Sequence, residues 1–446
     1  MKEVYIGLNS LGKIMMIISG LSISLVIPII WFEAAPTLIL IPTSVYLLLI
    51  GGWAYSRIRG AVLDRITVHR EFDEVVEEGS LVEVRISLRN DTGFGIYPLS
   101  ILDQSPQTAV LVEGSNKHTI YLPPKSEAVI RYKIRVLGVG RHEFGDLYLF
   151  TNDLIGAYTI EGVVKNLGKH ITCIPLPSER IINYSEANKL LASGLKTTGE
   201  SGYSYEFKDI REYVPGDDTR HIDWKSTARL GKLMIREEYM ETETDIVIVI
   251  NLTRATLAGR LGRRSYDYIS RVAMELVLTQ LNTYNRVGIV LTGLYTNVYP
   301  LTRVTVDTIP HFARFLGSIP VYLDTKEGYT TNLDVVTRGI GVRGKTLYIF
   351  ISDLAGRGEA ETILSLSRIG HSIMVINPVQ KLFDISEMDE LEKILYLAST
   401  YDVEKTREMN TSKLVSHGIP VIEAGPETML ITILNKLEEF KRLTPT

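Results

Sequence analysis

The sequence predicts an α/β fold, a doubly wound sheet, preceded by an all-β sandwich-like domain and an N-terminal two-helix transmembrane hairpin. Three observations carry this. Two uncharged runs of 19 residues lie near the N-terminus. A middle stretch alternates apolar and polar residues with period two, as half-buried strands do. In the last stretch, near-continuous apolar runs alternate with helical patterns, which signals a mostly parallel sheet. The expected domains are 1–60 (hairpin), 61–180 (β-rich), 181–242 (a charged segment) and 243–446 (α/β).

The hairpin comes first. Ile14 to Phe32 and Thr37 to Tyr55 contain no charged residue. Each would form a helix of about 28 Å, near the roughly 30 Å hydrocarbon core of a bilayer. The Glu33–Pro36 link is short enough to force both ends to one side. Trp31, Trp53 and Tyr55 lie at the ends of the runs, where aromatic rings favour the interface. Lys2, Lys13, Arg57, Arg59, Arg65 and Arg70 flank the runs, while the tip carries only Glu33. The positive-inside rule then predicts a two-span cell-membrane protein with both termini cytoplasmic. The single cysteine, Cys173, excludes an internal disulfide framework and fits a reducing compartment.

From Arg65 to Pro177 the period changes. Leu81–Arg89 and Ala128–Val136 alternate strictly, and Asn90–Gly93, Leu122–Pro124 and Gly138–Gly140 supply turn chemistry. No cluster of His, Ser and carboxylates marks this region for chemistry, so a spacer or adaptor is expected.

Glu206 to Glu241 is the most unusual segment, with nine acidic and seven basic residues among 36. The interleaved signs do not make a phosphate-binding stripe, and the whole-chain balance of 48 basic against 52 acidic residues argues against a nucleic-acid binder. Phe207, Tyr213, Trp224 and Tyr239 sit among the charges. Such a mixture suits an ion-pair network or an exposed partner surface. Pro215-Gly216-Asp217-Asp218 reads as a tight turn. His221 and Asp223, two residues apart, could form a general acid/base pair or pair structurally with Arg220 or Arg229.

The segment resembles the signature of the domain of unknown function 58 (DUF58) family. The residues that carry the resemblance are Glu206-Phe207, Arg211-Glu212-Tyr213, Gly216-Asp217-Asp218, Arg220, Ile222-Asp223-Trp224-Lys225 and Ala228-Arg229. Looser matches precede it at Gly140–Gly145 and Asp153–Ala157. The resemblance implies a membrane hairpin, a β region and a partner of the MoxR-type AAA+ ATPase class, with a chaperone-like role.

In the last domain, Asp245–Ile250, Val287–Leu291, Thr346–Ile351, Ser372–Ile376 and Pro420–Ile422 read as strands, Ser265–Thr283 and Glu427–Leu443 as helices. Ligands of such sheets sit at the carboxyl ends of the strands. The residues there resemble the metal site of the von Willebrand factor A fold, with Asn251, Thr253, Ala255, Thr331 and Asp353 at the matching positions. Asn251 replaces a carboxylate and Ala255 offers no oxygen, whereas Mg²⁺ prefers octahedral oxygen ligands with one or two carboxylates. The site is degenerate, and no cofactor is expected apart from the Mg²⁺ it raises. Arg254, Arg260, Arg263 and Arg264 form a basic run beside it, a solvated loop or a contact for an acidic partner or phospholipid headgroups.

No GxSxG, Walker loop or strand-following GxGxxG is present, so an enzyme is not expected. The leading expectation is a membrane-anchored, cytoplasm-facing interaction or scaffold protein. The signature residues would bind the partner, and the hairpin would sit in the lipid bilayer. Two alternatives stand beside it. One is a Mg²⁺-dependent ligand-binding module at Asn251, Thr253, Thr331 and Asp353. The other is an enzyme using Asp217, Asp218, His221 and Asp223.

Overall fold

The computed structural model describes residues 2–26, 35–165, 167, 169–175, 207–215, 217–238, 245–281, 285–321, 340, 342, 346–356, 358–378 and 404–425. The chain divides into two compact units. The first holds Met1–Leu137 and Arg141–Cys173, the second Gly138–Gly140 and Ile174–Thr446.

The first unit contains β1 (Lys2–Leu8), α1 (Ser10–Val26), α2 (Ala35–Asp64), β2 (Ile66–Glu71), β3 (Val75–Glu77), β4 (Leu81–Asn90), β5 (Ile96–Asp103), β6 (Ala109–Glu113), β7 (Lys117–Leu122), β8 (Ser126–Val136), β9 (Gly140–Glu143), β10 (Leu147–Asn152), β11 (Tyr158–Val164) and β12 (His170–Ile174). A five-stranded sheet in the order β1-β11-β10-β5-β7 and a four-stranded one in the order β2-β4-β8-β6 share one core, and β3, β12 and β9 form a third sheet. The two alternating stretches become neighbours: β4 and β8 pair antiparallel from Leu81↔Arg135 to Asn90↔Ser126. Their inward residues, Val84, Ile86, Leu88, Tyr132 and Ile134, pack with Leu99, Leu147, Leu149 and Ile160 of the other sheet. Along β4 every second residue is buried, which is the pleat expressed in sequence.

The N-terminal expectation is corrected here. Among the described residues, no helix is long and apolar enough to cross a membrane. The predicted class is corrected as well: the described residues are mostly β-sheet with few helices, and the predicted two-span localisation falls with the hairpin. The physical reasons are local. The described part of α1 covers 17 residues, about 26 Å of rise, and includes Lys13. α2 runs on into charged sequence, and its second half is used for packing on strands. Arg59 donates to Asn152 O at 2.7 Å and to Tyr97 O at 2.7 Å. Val62 and Leu63 enter the β core, and a Cβ at Gly60 would touch Ile6, Val4 and Ile160. Residues before α1 are a strand as well: Lys2–Leu8 pairs antiparallel with β11 over seven residues. The end of the first apolar run and the start of the link, residues 27–34, lie outside the described residues.

The second unit includes a two-stranded ribbon, β13 (Phe207–Glu212) and β14 (Met234–Glu238), enclosing a 3₁₀ turn at Thr219–His221 and α3 (Trp224–Leu230). Then follow β15 (Asp245–Leu252), α4 (Arg254–Leu257), α5 (Ser265–Thr279), β16 (Arg286–Gly293), β17 (Asn297–Arg303), α6 (Ile309–Leu316), β18 (Thr346–Ile351), α7 (Glu359–Ile369), β19 (Ser372–Pro378), a helical stretch at 404–416, and β20 (Val421–Ala424). The sheet order is β17-β16-β15-β18-β19-β20. β16, β15, β18, β19 and β20 are parallel, and β17 is an antiparallel edge. β15 is buried at all eight positions, because both faces are covered. Ile246, Ile248 and Ile250 pack with Tyr266, Ile269, Ala273 and Phe312. Val247 and Val249 pack on the opposite face with Phe350, Ile363, Leu366 and Leu414. The chain leaves β15 toward β16 on one side and β18 toward β19 on the other. The crevice at a topological switch therefore lies at the carboxyl ends of β15 and β18. The sequence-predicted helix at 427–443 lies outside the described residues.

Candidate functional site

Six buried polar side chains gather at those strand ends. Asn251 is the penultimate residue of β15, and Thr253 follows as the N-cap of α4. Ser352 and Asp353 follow β18, Glu359 begins α7, and Thr292 lies near the end of β16. All six are essentially inaccessible to solvent. Thr253 Oγ1 donates to Asp353 Oδ2 at 2.6 Å, and Asn251 Nδ2 donates to Ser352 Oγ at 3.2 Å. Ala355 N–H donates to Asp353 Oδ1 at 3.1 Å. Glu359 turns its carboxylate toward Ser352 and Asn251 without a well-formed hydrogen bond to either. Asn251 Oδ1 and Thr292 Oγ1 also lack a donor or acceptor partner, a costly state in a dry interior.

The backbone around the cluster is held in unusual conformations. Leu354 has φ of +55°, a region that bulky residues rarely enter. Its N–H donates to Ser352 Oγ at 3.0 Å, and its carbonyl accepts from Asn410 Nδ2 at 2.7 Å. Such strain persists where neighbours over-determine it, and it concentrates at functional sites. Gly293 has φ of +93°, and a Cβ there would lie 2.4 Å from Leu252 O and 2.6 Å from Asn251 Oδ1. Gly293→Ala is therefore expected to lower the unfolding free energy by about 1–3 kcal/mol, measured by urea denaturation of the full chain. An unchanged midpoint would show that this approach is not tight.

Burial dominates the electrostatics. It raises Asp353 above the ordinary carboxylate range, against the hydrogen bonds from Thr253 and Ala355. It pushes Glu359 up to about 7; the Asp353 charge adds to this, while Ser352 and Asn251 oppose it. Two carboxylates so near each other resist simultaneous ionisation.

The sequence-predicted metal residues divide. Asn251, Thr253 and Asp353 do come together; Thr331 lies outside the described residues; Ala255 sits in α4 and supplies no ligand. Glu359 and Thr292 had not been anticipated. The available signal for Glu359 was an acidic residue at the first position of a helix shortly after a strand end, a pattern too common to single out. Among the described residues, no group of three or more His, Cys, Asp or Glu is placed to hold a metal. The basic run is also revised: Arg264 is buried rather than solvated. Its guanidinium donates to Asp267 Oδ1 at 2.8 Å and to Val139 O at 2.7 Å.

The signature residues form a second, outward-facing site. Arg211 grips Asp217 in a bidentate pair at 2.7 and 2.8 Å. That pair, with the Val214 N–H, holds Asp217 down to about 2. Asp218 caps the 3₁₀ turn by accepting from Arg220 N–H and pairs with the Arg220 guanidinium, which lowers it too. Asp223 caps α3, accepting from Lys225 N–H at 3.0 Å and Ser226 N–H at 3.2 Å. Gly231, with φ of +67°, ends the same helix. Glu212 and Lys232 approach to 3.4 Å. The three aspartates suggested as catalytic acids are thus engaged in pairing and capping, and His221 is exposed. Tyr213 is half-buried, whereas Trp224, Lys225 and Arg229 are exposed. Phe207 lies on β13 opposite Glu238. Glu206 and Gly216 lie outside the described residues.

Residues 209–383 match the family described as protein of unknown function DUF58, a span from β13 to just beyond β19. No curated protein matches the chain. Three solved structures show faint likenesses. An aerotolerance-related membrane protein from Bacteroides fragilis is 15% identical, over 44% of this chain and 98% of that one, with a TM-score of 0.27. Proximal thread matrix protein 1 from the mussel byssus is 12% identical, over 45% and 48%, with a TM-score of 0.27. The CARDB domain of a Pyrococcus furiosus protein, in complex with di-metal ions, is 18% identical, over 22% and 84%, with a TM-score of 0.15. None of these reaches a TM-score of 0.5.

Proposed function

We propose that this chain is a protein-interaction or scaffold protein that presents the 207–238 ribbon to a partner. The observation that carries this reading is the outward display of the signature. α3 has no buried residue, Trp224 is 68% exposed, and the acids around it are occupied with shaping the segment. Interface hot spots are enriched in Trp and Arg, and an irregular ribbon pinned by ion pairs is preorganised to offer them. The resemblance to DUF58 supplies the partner class, a MoxR-type AAA+ ATPase, in a chaperone-like assembly role. The strand order of the last unit supports reading it as a von Willebrand A-like domain that carries the ribbon. The test is co-purification of the tagged full-length chain from its native host, with Mg²⁺ and ATP and again with EDTA. Recovery of such an ATPase in both conditions is expected, and its absence from both sinks the partner assignment.

A second reading, Mg²⁺-dependent ligand capture at the carboxyl end of the sheet, has one observation in its favour. The oxygens of Asn251 and Glu359 are buried without donors, as cation ligands awaiting an ion would be. The rest of the donor set fits poorly. Asn251 is neutral, Ala255 supplies nothing, and Thr253 spends its hydroxyl on Asp353. Calorimetric titration of the full chain with Mg²⁺ decides: binding heat that disappears in Asp353→Ala supports this reading, and none in the unmodified chain ends it.

A further inference from the structure

We infer that the docking segment of the partner is acidic and carries an apolar anchor, and that it seats on α3 across Trp224, Lys225 and Arg229. This rests on the interaction reading above and adds the chemistry of the partner. Three observations carry it. First, among the described residues α3 is held at its ends and edge: Asp223 caps it, and Thr227 Oγ1 accepts from Met234 N–H at 3.0 Å. Among the described residues, nothing buries its outer face. Second, that face pairs two stripes. Trp224 and Ala228 form one, Lys225 and Arg229 the other, each spaced i, i+4 and all four exposed. Leu230, Leu233 and Val214 are also exposed, at 55%, 44% and 57%, elsewhere on the ribbon. Third, the charges around the helix are unequal in availability. Asp217, Asp218 and Glu212 are paired with Arg211, Arg220 and Lys232, and Asp223 is bound by backbone amides. Among the described residues, no carboxylate pairs with Lys225 or Arg229. A surface on which these four acids are engaged and two cations stand beside an exposed indole is complementary to carboxylates flanking an apolar side chain.

A polyanion is disfavoured by geometry. An extended phosphate array needs a continuous row of cations, whereas Lys225 and Arg229 stand about one helical turn apart and match two carboxylates on a short segment.

The experiment places a photo-crosslinking p-benzoylphenylalanine at position 224 of the full-length chain in its native host. Adducts are sequenced by mass spectrometry. The expected result is a dominant adduct to a protein peptide of net negative charge. In Lys225→Glu/Arg229→Glu its yield falls by about tenfold or more, while thermal unfolding is unchanged because both side chains are exposed. The same probe at Val110, exposed on the other unit, is expected not to give this adduct. The full chain is also expected not to bind single-stranded DNA or phosphatidylglycerol vesicles through these two cations. A peptide without net negative charge, an adduct insensitive to charge reversal, or Lys225/Arg229-dependent binding to DNA or vesicles overturns the inference. If the ATPase still co-purifies, the interaction reading survives that failure. If neither an adduct nor a co-purified partner is found, both fall.

Discussion

Asp103→Ala is expected to lower the stability of the first unit by about 3–5 kcal/mol, the cost of leaving one member of a buried ion pair alone. Asp103 and Arg70 are bonded to each other with both side chains fully buried. Tyr132 donates its hydroxyl to Asp103 Oδ2 at 2.5 Å, and the Arg70 guanidinium lies 4.6 Å from the centre of the Phe144 ring. Arg70 already has two nitrogens, Nε and Nη1, without partners, so it has little to fall back on when the carboxylate goes. Burial raises Asp103 despite the pull of Arg70 and the Tyr132 hydrogen bond. The desolvation of the pair is therefore only partly repaid. It follows that the pair adds little net stability, although breaking it is expensive. Arg70→Met with Asp103→Leu should accordingly recover most of the loss. The measurement is urea unfolding of the full chain, with hydrogen exchange in β5 and β8 reporting on this unit. A single-variant loss below about 1 kcal/mol would mean that water reaches the pair, since exposed pairs are worth no more than this.

Glu359→Gln is expected to stabilise the second unit at pH 8 and leave it nearly unchanged at pH 4. The carboxyl is pushed up to about 7 from an ordinary 4.5, chiefly by burial. A folded-state value above the unfolded one means that the folded chain holds the proton more tightly. The associated stability is complete below about 4.5 and is lost as pH rises through about 7. The gap corresponds to about 3 kcal/mol. Gln mimics the protonated acid, so the variant removes this loss. Asp103 and Asp353 are also raised and Asp217 is lowered. The informative quantity is therefore the difference between the two stability–pH curves. Parallel curves would show that water or a cation reaches Glu359 in the folded chain.

Much of the sheet architecture was legible in residue spacing. The alternation at 81–89 and 128–136 appears in β4 and β8, and the apolar runs at 245–250, 287–291 and 346–351 lie in β15, β16 and β18. These signals survive because each reports which faces of a strand are covered, and coverage is imprinted residue by residue. Lys2–Leu8 was missed as a strand because its partner, β11, lies 150 or more residues away. The apolar runs at the N-terminus misled for a related reason. Hydropathy counts uncharged residues, but what the second half of α2 does is set by the strands that Gly60, Val62 and Leu63 meet.

The sites divide in the same way. The capping role of Asp223 and the turn at Asp217-Asp218 follow from short-range chemistry, since a carboxylate two or three residues from a free amide finds it in any context. The pairing of Thr253 with Asp353 across 100 residues and the arrival of Glu359 beside Asn251 do not. Nor does the burial of Arg264 within a run of arginines. Sequence alone therefore determined the alternating strands of the first unit and the continuously apolar strands of the second, because those patterns depend on neighbours a few residues apart. Only the tertiary structure decided which charges are dry and which carboxylates share an interior that favours their protonated form. It also decided which face of Trp224–Leu230 is left to water. Burial is a property of what the whole chain packs above a residue, and desolvation, not residue type, sets the energy of a charge.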